Sequence, residues 1–568
     1  MRSIPTVGTW RPRSARSWIS WSRNSHRRRP GRRRRRCLPP TLPPTLPPTL
    51  PRPAPPHAFL RSTAMTTAGN RRGRTTGKDN PRKRGGSVVL TLPVVAFWHR
   101  VVLVAVLSLV LMGLLAAMPG AATGQVPGRW LAIVGATVID GTGGPVRPNT
   151  TILIQGSEIA ALGPADDMQV PAEATVIDGA GKWVIPGLID AQIHFFQSGG
   201  LYARPDLIDL RHVRPYEDEL VQARERVPET FARYIASGIT GVIDQGGPFW
   251  TFDVRALAAR IPRAPRVAVS GTLLAGNAPA ELLGGDDPPL LQVTTPEQAA
   301  EAASRLLPYE PDLIKLWLVD VAPWDDDELA WVGAAIDAAR AAGKRVAAHV
   351  TSPAVAAAVV AEGIDILIHA VGDDTFDDAL LENIRNGGII YITGLAVDER
   401  YRQVFGRHLQ ITEMERRIAD PDALASLDDL ASLPPQDVPS WVRPRDPRPL
   451  DPLAAETMLR VRDAGITIAA GSAAGNIGSF HGPALHRELE LMVKAGLSPM
   501  EALVAATRGG AAAMGRHDEL GTVAAGRLAD LVILDADPLS DIASTRSIHR
   551  VIKAGLVYDP TEILADLP

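Results

Sequence analysis

The chain of 568 residues contains one cysteine, Cys37. A single thiol excludes a disulfide framework and a thiolate metal cluster, and no cysteine nucleophile exists beyond residue 37. Acidic residues are almost missing from the first hundred positions, where Asp79 stands against 23 lysines and arginines. Also missing is a Gly-rich phosphate loop opening a helix, which argues against an open, doubly wound nucleotide-binding sheet. The formal charge of −2 therefore hides two unlike parts, because the remainder holds 37 basic and 61 acidic residues. A folded part so acidic excludes nucleic acid as its natural partner.

The basic part has little to fold with. Arginine runs at Arg27 to Arg29 and Arg32 to Arg36 lead into three copies of Pro-Pro-Thr-Leu between Pro39 and Leu50. Like-charge repulsion and proline spacing predict a disordered extension over residues 1–95, with Met65 an alternative start. Residues 96–124 hold the uncharged apolar run Val101 to Ala117, preceded by His99-Arg100 and followed by small residues. That order predicts a secretory signal, with a membrane anchor through 101–117 as the alternative. On either reading the remainder is exported, to the periplasm or outside the cell, or stays anchored on the outer side of the cytoplasmic membrane.

From Leu131 short β-rich runs alternate with Gly, Pro, Asn and Asp turns. A similar block closes the chain, so residues 128–185 and 508–560 are expected to form one small β-sandwich from both ends. Between them, over 186–507, eight apolar runs alternate with Ala-rich helical patterns. The runs are Val184–Ile189, Thr240–Asp244, Arg266–Ser270, Leu313–Trp317, Arg345–His349, Ile364–His369, Ile389–Gly394 and Ile466–Gly471. Eight β/α repeats predict a (β/α)8 TIM barrel. Ser498-Pro499-Met500-Glu501 predicts a capped helix start. The polar stretch from about Asp398 to Asp451 reads as an insertion after the seventh strand, a lid or a solvated excursion.

TIM-barrel chemistry sits at the C-terminal strand ends. There the sequence puts His194, Asp244, His349 and His369, with Lys315 inside an apolar strand. A buried lysine needs neutralisation or a partner. Gln192 and His194, two apart, project together from the first strand.

The text IVGATVIDGTGG, VIPGLIDAQIH, GITGVIDQGG, PDLIKLW, VAAHVTS, IDILIHA and DELGTVAAGRLADLVILDADPL resembles the amidohydrolase superfamily. The likeness is to its imidazolonepropionase-like and prolidase-like secreted members. It implies a metal-bearing (β/α)8 barrel with a small β-sandwich, and hydrolysis of a C–N bond in a small amide, cyclic amide or dipeptide. It also implies a His-x-His pair on strand one, a carboxylated lysine on strand four, histidines on strands five and six and an aspartate on strand eight. Carried over, Lys315, His349, His369 and His194 are metal ligands, while Gln192 replaces a histidine and Ala473 the aspartate. Both losses fall on one metal position, so one Zn2+ is expected rather than two. His194, Asp244 and His481 are the candidate substitutes for the lost base, and Tyr391 and Thr393 the candidate substrate contacts. The competing reading is a pseudoenzyme that keeps the pocket as an envelope ligand-binding or interaction protein. Self-association is compatible with either.

Overall fold

A computed structural model of the chain describes residues 128–319, 326–369, 371, 374–433 and 450–567. The basic extension and the run Val101 to Ala117 lie outside the described residues. Among the described residues no helix is long and apolar enough to cross a membrane.

In chain order the strands are β1 (Trp130–Val138), β2 (Arg147–Gln155), β3 (Glu158–Pro164), β4 (Thr175–Asp178), β5 (Trp183–Pro186), β6 (Leu188–Ile193), β7 (Ile239–Asp244), β8 (Arg266–Val269), β9 (Leu273–Ala275), β10 (Leu290–Gln292), β11 (Leu313–Trp317), β12 (Arg345–His349), β13 (Ile366–Ile368), β14 (Ile390–Ile392), β15 (Ile468–Ala469), β16 (Leu531–Leu534), β17 (Ile548–Lys553) and β18 (Leu556–Tyr558). The two ends of the chain meet within one eight-stranded sheet, ordered β18-β17-β16-β5-β1-β2-β3 with β4 beside β1. Where a small β-sandwich was expected, the described strands of both ends pair along this one path. The antiparallel ladder from β16 to β5, Leu531 opposite Pro186 and Leu534 opposite Trp183, stitches both ends into one hydrogen-bonded path. Leu131, Ile133, Ile152, Ile154, Val184, Leu531 and Ile533 form its apolar core.

The central strands are parallel and buried, which is why they read as near-continuous Val, Ile, Leu and Ala runs. They form a seven-stranded sheet, β10-β9-β11-β12-β13-β14-β15, and a three-stranded sheet, β6-β7-β8. Backbone hydrogen bonds join the two at both margins. Asp312 donates to Val269 at 2.9 Å on one side, and Ala191 donates to Ala470 at 2.9 Å on the other. The architecture is an α/β fold of TIM-barrel type. Helices return between strands where the sequence places N-caps followed by proline. Ser352 caps Pro353–Ala361, and the Ser498–Glu501 capping box is present as read from the sequence.

One expected strand is divided. Val184–Ile189 reads as continuous, yet Trp183–Pro186 belongs to the terminal sheet and Leu188–Ile193 to the parallel strands. Gly187 marks the crossing, where a Cβ would collide with the Thr240 side chain.

The insertion after β14 is not a solvated excursion in its described part. Its helices Leu395–Phe405 and Pro421–Ser426 share a core with Leu201, Ile208 and Phe480, from the loops after β6 and β15, and Glu413–Ile418 packs Ile418 with Ala232, Ile235 and Val551. Arg400 and Glu415 form an ion pair there with each side chain only 3% exposed. Breaking such a pair strands a buried charge. Arg400→Met is expected to lower stability by about 3–5 kcal/mol, and Arg400→Met with Glu415→Leu to recover most of that loss. Urea denaturation of the three proteins checks this.

Candidate functional site

The polar residues of the parallel strands gather at their C-terminal ends. The β6–β7 register passes from Asp190 opposite Val242 to Ile193 opposite Asp244, three residues against two. This bulge re-aims the end of β6. It brings the Gln192 amide nitrogen to 2.7 Å from His369 Nε2 and the His194 ring to Gly246. The Gly246 carbonyl accepts from His194 Nδ1 at 2.9 Å, which leaves Nε2 with its lone pair free.

His349 ends β12 and His369 follows β13, with ring centroids 3.8 Å apart. Both are held well below the ordinary histidine pKa of 6.5, first by burial. Next come the His369 ring for His349 and the Lys315 charge for His369. Both rings are therefore neutral, the form that binds metal ions. Lys315 is 2% exposed and its Nζ has no hydrogen-bond partner among the described residues. Burial drives its pKa well below 10.5, toward the neutral amine. A neutral amine at this place is the state that takes up carbon dioxide to become a carbamate. His349, His369 and Lys315 thus fit one metal ion in donor chemistry, with nitrogen and carbamate oxygen both suited to Zn2+. Among the described residues no three His, Cys, Asp or Glu side chains converge closely enough to hold a metal ion.

The loop after β15 keeps its shape without the expected carboxylate. Ala473 is fully buried at φ +52°, a left-handed conformation that favours Gly, Asn and Asp over alanine. Neighbours hold it there. Asn476 Nδ2 donates to the Ala473 carbonyl at 2.9 Å, Ser479 Oγ donates to the Ser472 carbonyl at 3.0 Å, and Ser472 N donates to Asp190 at 2.9 Å. His369 also has positive φ, +88°. Such strain in non-glycine residues gathers where surrounding structure imposes it.

Four further sequence candidates have these surroundings. Asp244 is fully buried, accepts from Gly246 N at 3.3 Å and is pushed well above the ordinary carboxyl range by burial. Its charge acts on Tyr234. His481 has both ring nitrogens engaged, with Tyr234 Oη at 2.7 Å and the Gln197 carbonyl at 2.8 Å. Tyr391 alternates away from Ile390 and Ile392 and packs edge-on to Phe376 in the layer between strands and helices. Thr393 is 1% exposed and its hydroxyl serves Glu488, which also accepts from Leu395 N and Ala396 N.

One residue of the site escaped the sequence reading. Arg204, in the loop after β6, acts electrostatically on His194, His349 and His369. Its loop has no periodicity or motif to single it out.

Fold and donor cluster together define a class, TIM-barrel-type proteins with a lysine and histidines at the strand ends that fit a metal ion. The amidohydrolase family profile matches residues 183–557, and the chain belongs to the amidohydrolase family. A curated relative, an enamidase from Eubacterium barkeri, is 31% identical over 104 residues, 18% of this chain and 22% of that protein. The chain matches less than half the length of the curated relatives. Among solved structures, a Xaa-Pro dipeptidase with bound methionine aligns with TM-score 0.57 and 22% identity, covering 76% of this chain and 100% of that one. Phenylurea hydrolase B aligns with TM-score 0.58 and 24% identity, covering 76% and 97%. At such identities the structural likenesses concern the fold.

Buried neutral histidines give a pH prediction. His486, between Thr545 Oγ1 at 2.9 Å and the Ser237 carbonyl at 3.0 Å, has its pKa lowered to about 3, chiefly by burial. The unfolded chain takes up a proton near pH 6.5 and the folded one does not, so this contribution to stability is full above pH 6.5 and lost as pH falls toward 3. His194, at about 3, and His481, at about 4, act in the same direction. Stability is expected to fall steeply between pH 6 and 4, and His486→Gln to flatten the slope by about 1.4 kcal/mol per pH unit. Urea titrations at several pH values read the slope.

Proposed function

We propose that the chain is a hydrolase of C–N bonds in small amides, cyclic amides or dipeptides, working with a single metal ion. The observation that carries this reading is the partnerless, buried Lys315 Nζ in a strand flanked by the His349–His369 pair. As its carbamate, formed from the neutral amine and carbon dioxide with release of one proton, Lys315 would hold one Zn2+ together with the two imidazoles. When bound, the ion supplies Lewis-acid polarisation of the scissile carbonyl. His194 is left as the general base, since its Nε2 is free and Nδ1 is fixed on Gly246. Its pKa of about 3 makes it a weak base, which favours slow turnover. Trp317, edge-on to His349, and Phe196, edge-on to His194, supply apolar surface beside the imidazoles.

A second reading has its own support. Gln192 occupies His369 Nε2 and Ala473 offers no side chain for a metal or a proton. On that reading the site is retired and the pocket only binds a ligand. The apolar run at Val101 to Ala117 supports export of the folded part in both cases.

The folded part, expressed from residue 124 onward, is expected to carry about one divalent ion per chain by elemental analysis. It is also expected to hydrolyse N-acyl amino acids, dipeptides or lactams. Lys315→Ala should lose both ion and turnover, and Gln192→His with Ala473→Asp should raise the ion content toward two. A folded protein with neither ion nor turnover returns the pseudoenzyme reading.

A further inference from the structure

A pocket distinct from the strand-end cluster lies against the loop after β6. Gln197 and Ser198 of that loop form one wall, the helices Tyr216–Glu225 and Val227–Ala236 a second, and the insertion helix Pro421–Ser426 a third. None of His194, Lys315, His349 and His369 lines it. It offers about 30 Å3 to the centres of water-sized guests, room for about two.

Arg233 in this pocket is a buried charge with little to hold it. It is 3% exposed, and its Nε and Nη1 have no hydrogen-bond partner among the described residues. Its contact with Asp420, through Nη2, is long at 3.8 Å. Asp420 is already committed: both its oxygens accept from Arg226 Nη1, at 2.6 and 2.7 Å, and Oδ1 also accepts from Asp422 N and Ala423 N. Two other carboxylates line the pocket. Asp422 sits at the rim with its side chain 58% exposed, bonded to Arg226 and to Gln222, where water screens it. Glu219 is buried with Oε2 at 3.3 Å from Arg214, and burial pushes its carboxyl above the ordinary range, toward the neutral acid. Its Oε1 and the Gln197 Oε1 are likewise buried without a partner among the described residues. A protonated Glu219 offers an O–H, and the two-fold terminal torsion of Gln197 lets its amide turn an N–H to a guest. Buried polar groups left open in this way call for an ordered water or an ion. A guanidinium whose nearby carboxylate serves another arginine favours the ion.

We propose that this pocket binds one small monovalent anion of the halide class, held chiefly by Arg233. The site is independent of the hydrolase reading and of any metal. Its room is too small for phosphate, sulfate or a large carboxylate. A bound anion joins the helix Val227–Ala236 to the insertion and to the loop that follows His194. It therefore binds the folded chain and not the unfolded one, and stabilises the fold by mass action.

Urea denaturation in about 100 mM sodium chloride and in the same concentration of sodium gluconate, whose anion is too large for the pocket, compares the two at equal screening. Chloride is expected to raise the folding constant about tenfold, as a site with a Kd of about 10 mM would. Arg233→Met keeps much of the apolar stem and removes the charge, and should abolish the difference. Wild-type protein equally stable in both salts, the result expected if water alone fills the pocket, overturns the proposal. So does a chloride effect that persists in folded Arg233→Met. If Arg233→Met does not fold, bromide decides. Anomalous scattering from bromide-soaked crystals should place an ion against the Arg233 guanidinium, and a pocket holding no bromide overturns the proposal.

Discussion

The meeting of the first and last parallel strands is the constraint on which the site depends. Ala191 and His194 donate backbone hydrogen bonds to Ala470 and Ala474, each at 2.9 Å. Asp190, fully buried, accepts from Ser472 through both backbone and hydroxyl. Burial pushes its carboxyl up to about 7 against the pull of these bonds. Residues nearly 300 apart in sequence are thereby placed side by side. Without this seam Gln192 and His194 would not lie beside the loop that carries Ala473, and the two positions would have no common consequence.

That consequence is electrostatic. Alanine in place of a carboxylate leaves lysine, arginine and three imidazoles facing one another. The chain answers in three ways at once. Desolvation favours the neutral forms of Lys315 and of the histidines, Gln192 bonds to the His369 nitrogen, and Asp206 balances Arg204 from the far side. The backbone at Ala473 meanwhile stays in the conformation suited to the lost residue, held by Asn476 and Ser479.

The parallel strands, the capped helices and the pairing of the two chain ends were legible in sequence because burial imposes a period on apolar residues. That Lys315, His349 and His369 would gather was legible because histidines and a lysine at the ends of apolar runs are costly unless paired or neutralised. Roles were less legible. Tyr391 and Thr393 lie two apart, yet one faces the helix layer and the other is taken by Glu488. His481 looked free and is bonded at both nitrogens. Val184–Ile189 looked like one strand because nothing local reveals that Gly187 separates two sheets.

By itself, then, the sequence determined the elements, their order and the kinds of side chain available, since these follow from local composition and spacing. Only the tertiary structure decided which groups face one another. It bonded both ring nitrogens of His481, left His194 Nε2 free, and brought Arg204 from an unpatterned loop to the Asn476 side chain that holds the Ala473 carbonyl. The physical reason is that hydrogen bonds and charge act over a few ångströms of space, and the residues they couple here are 52 to 284 positions apart along the chain.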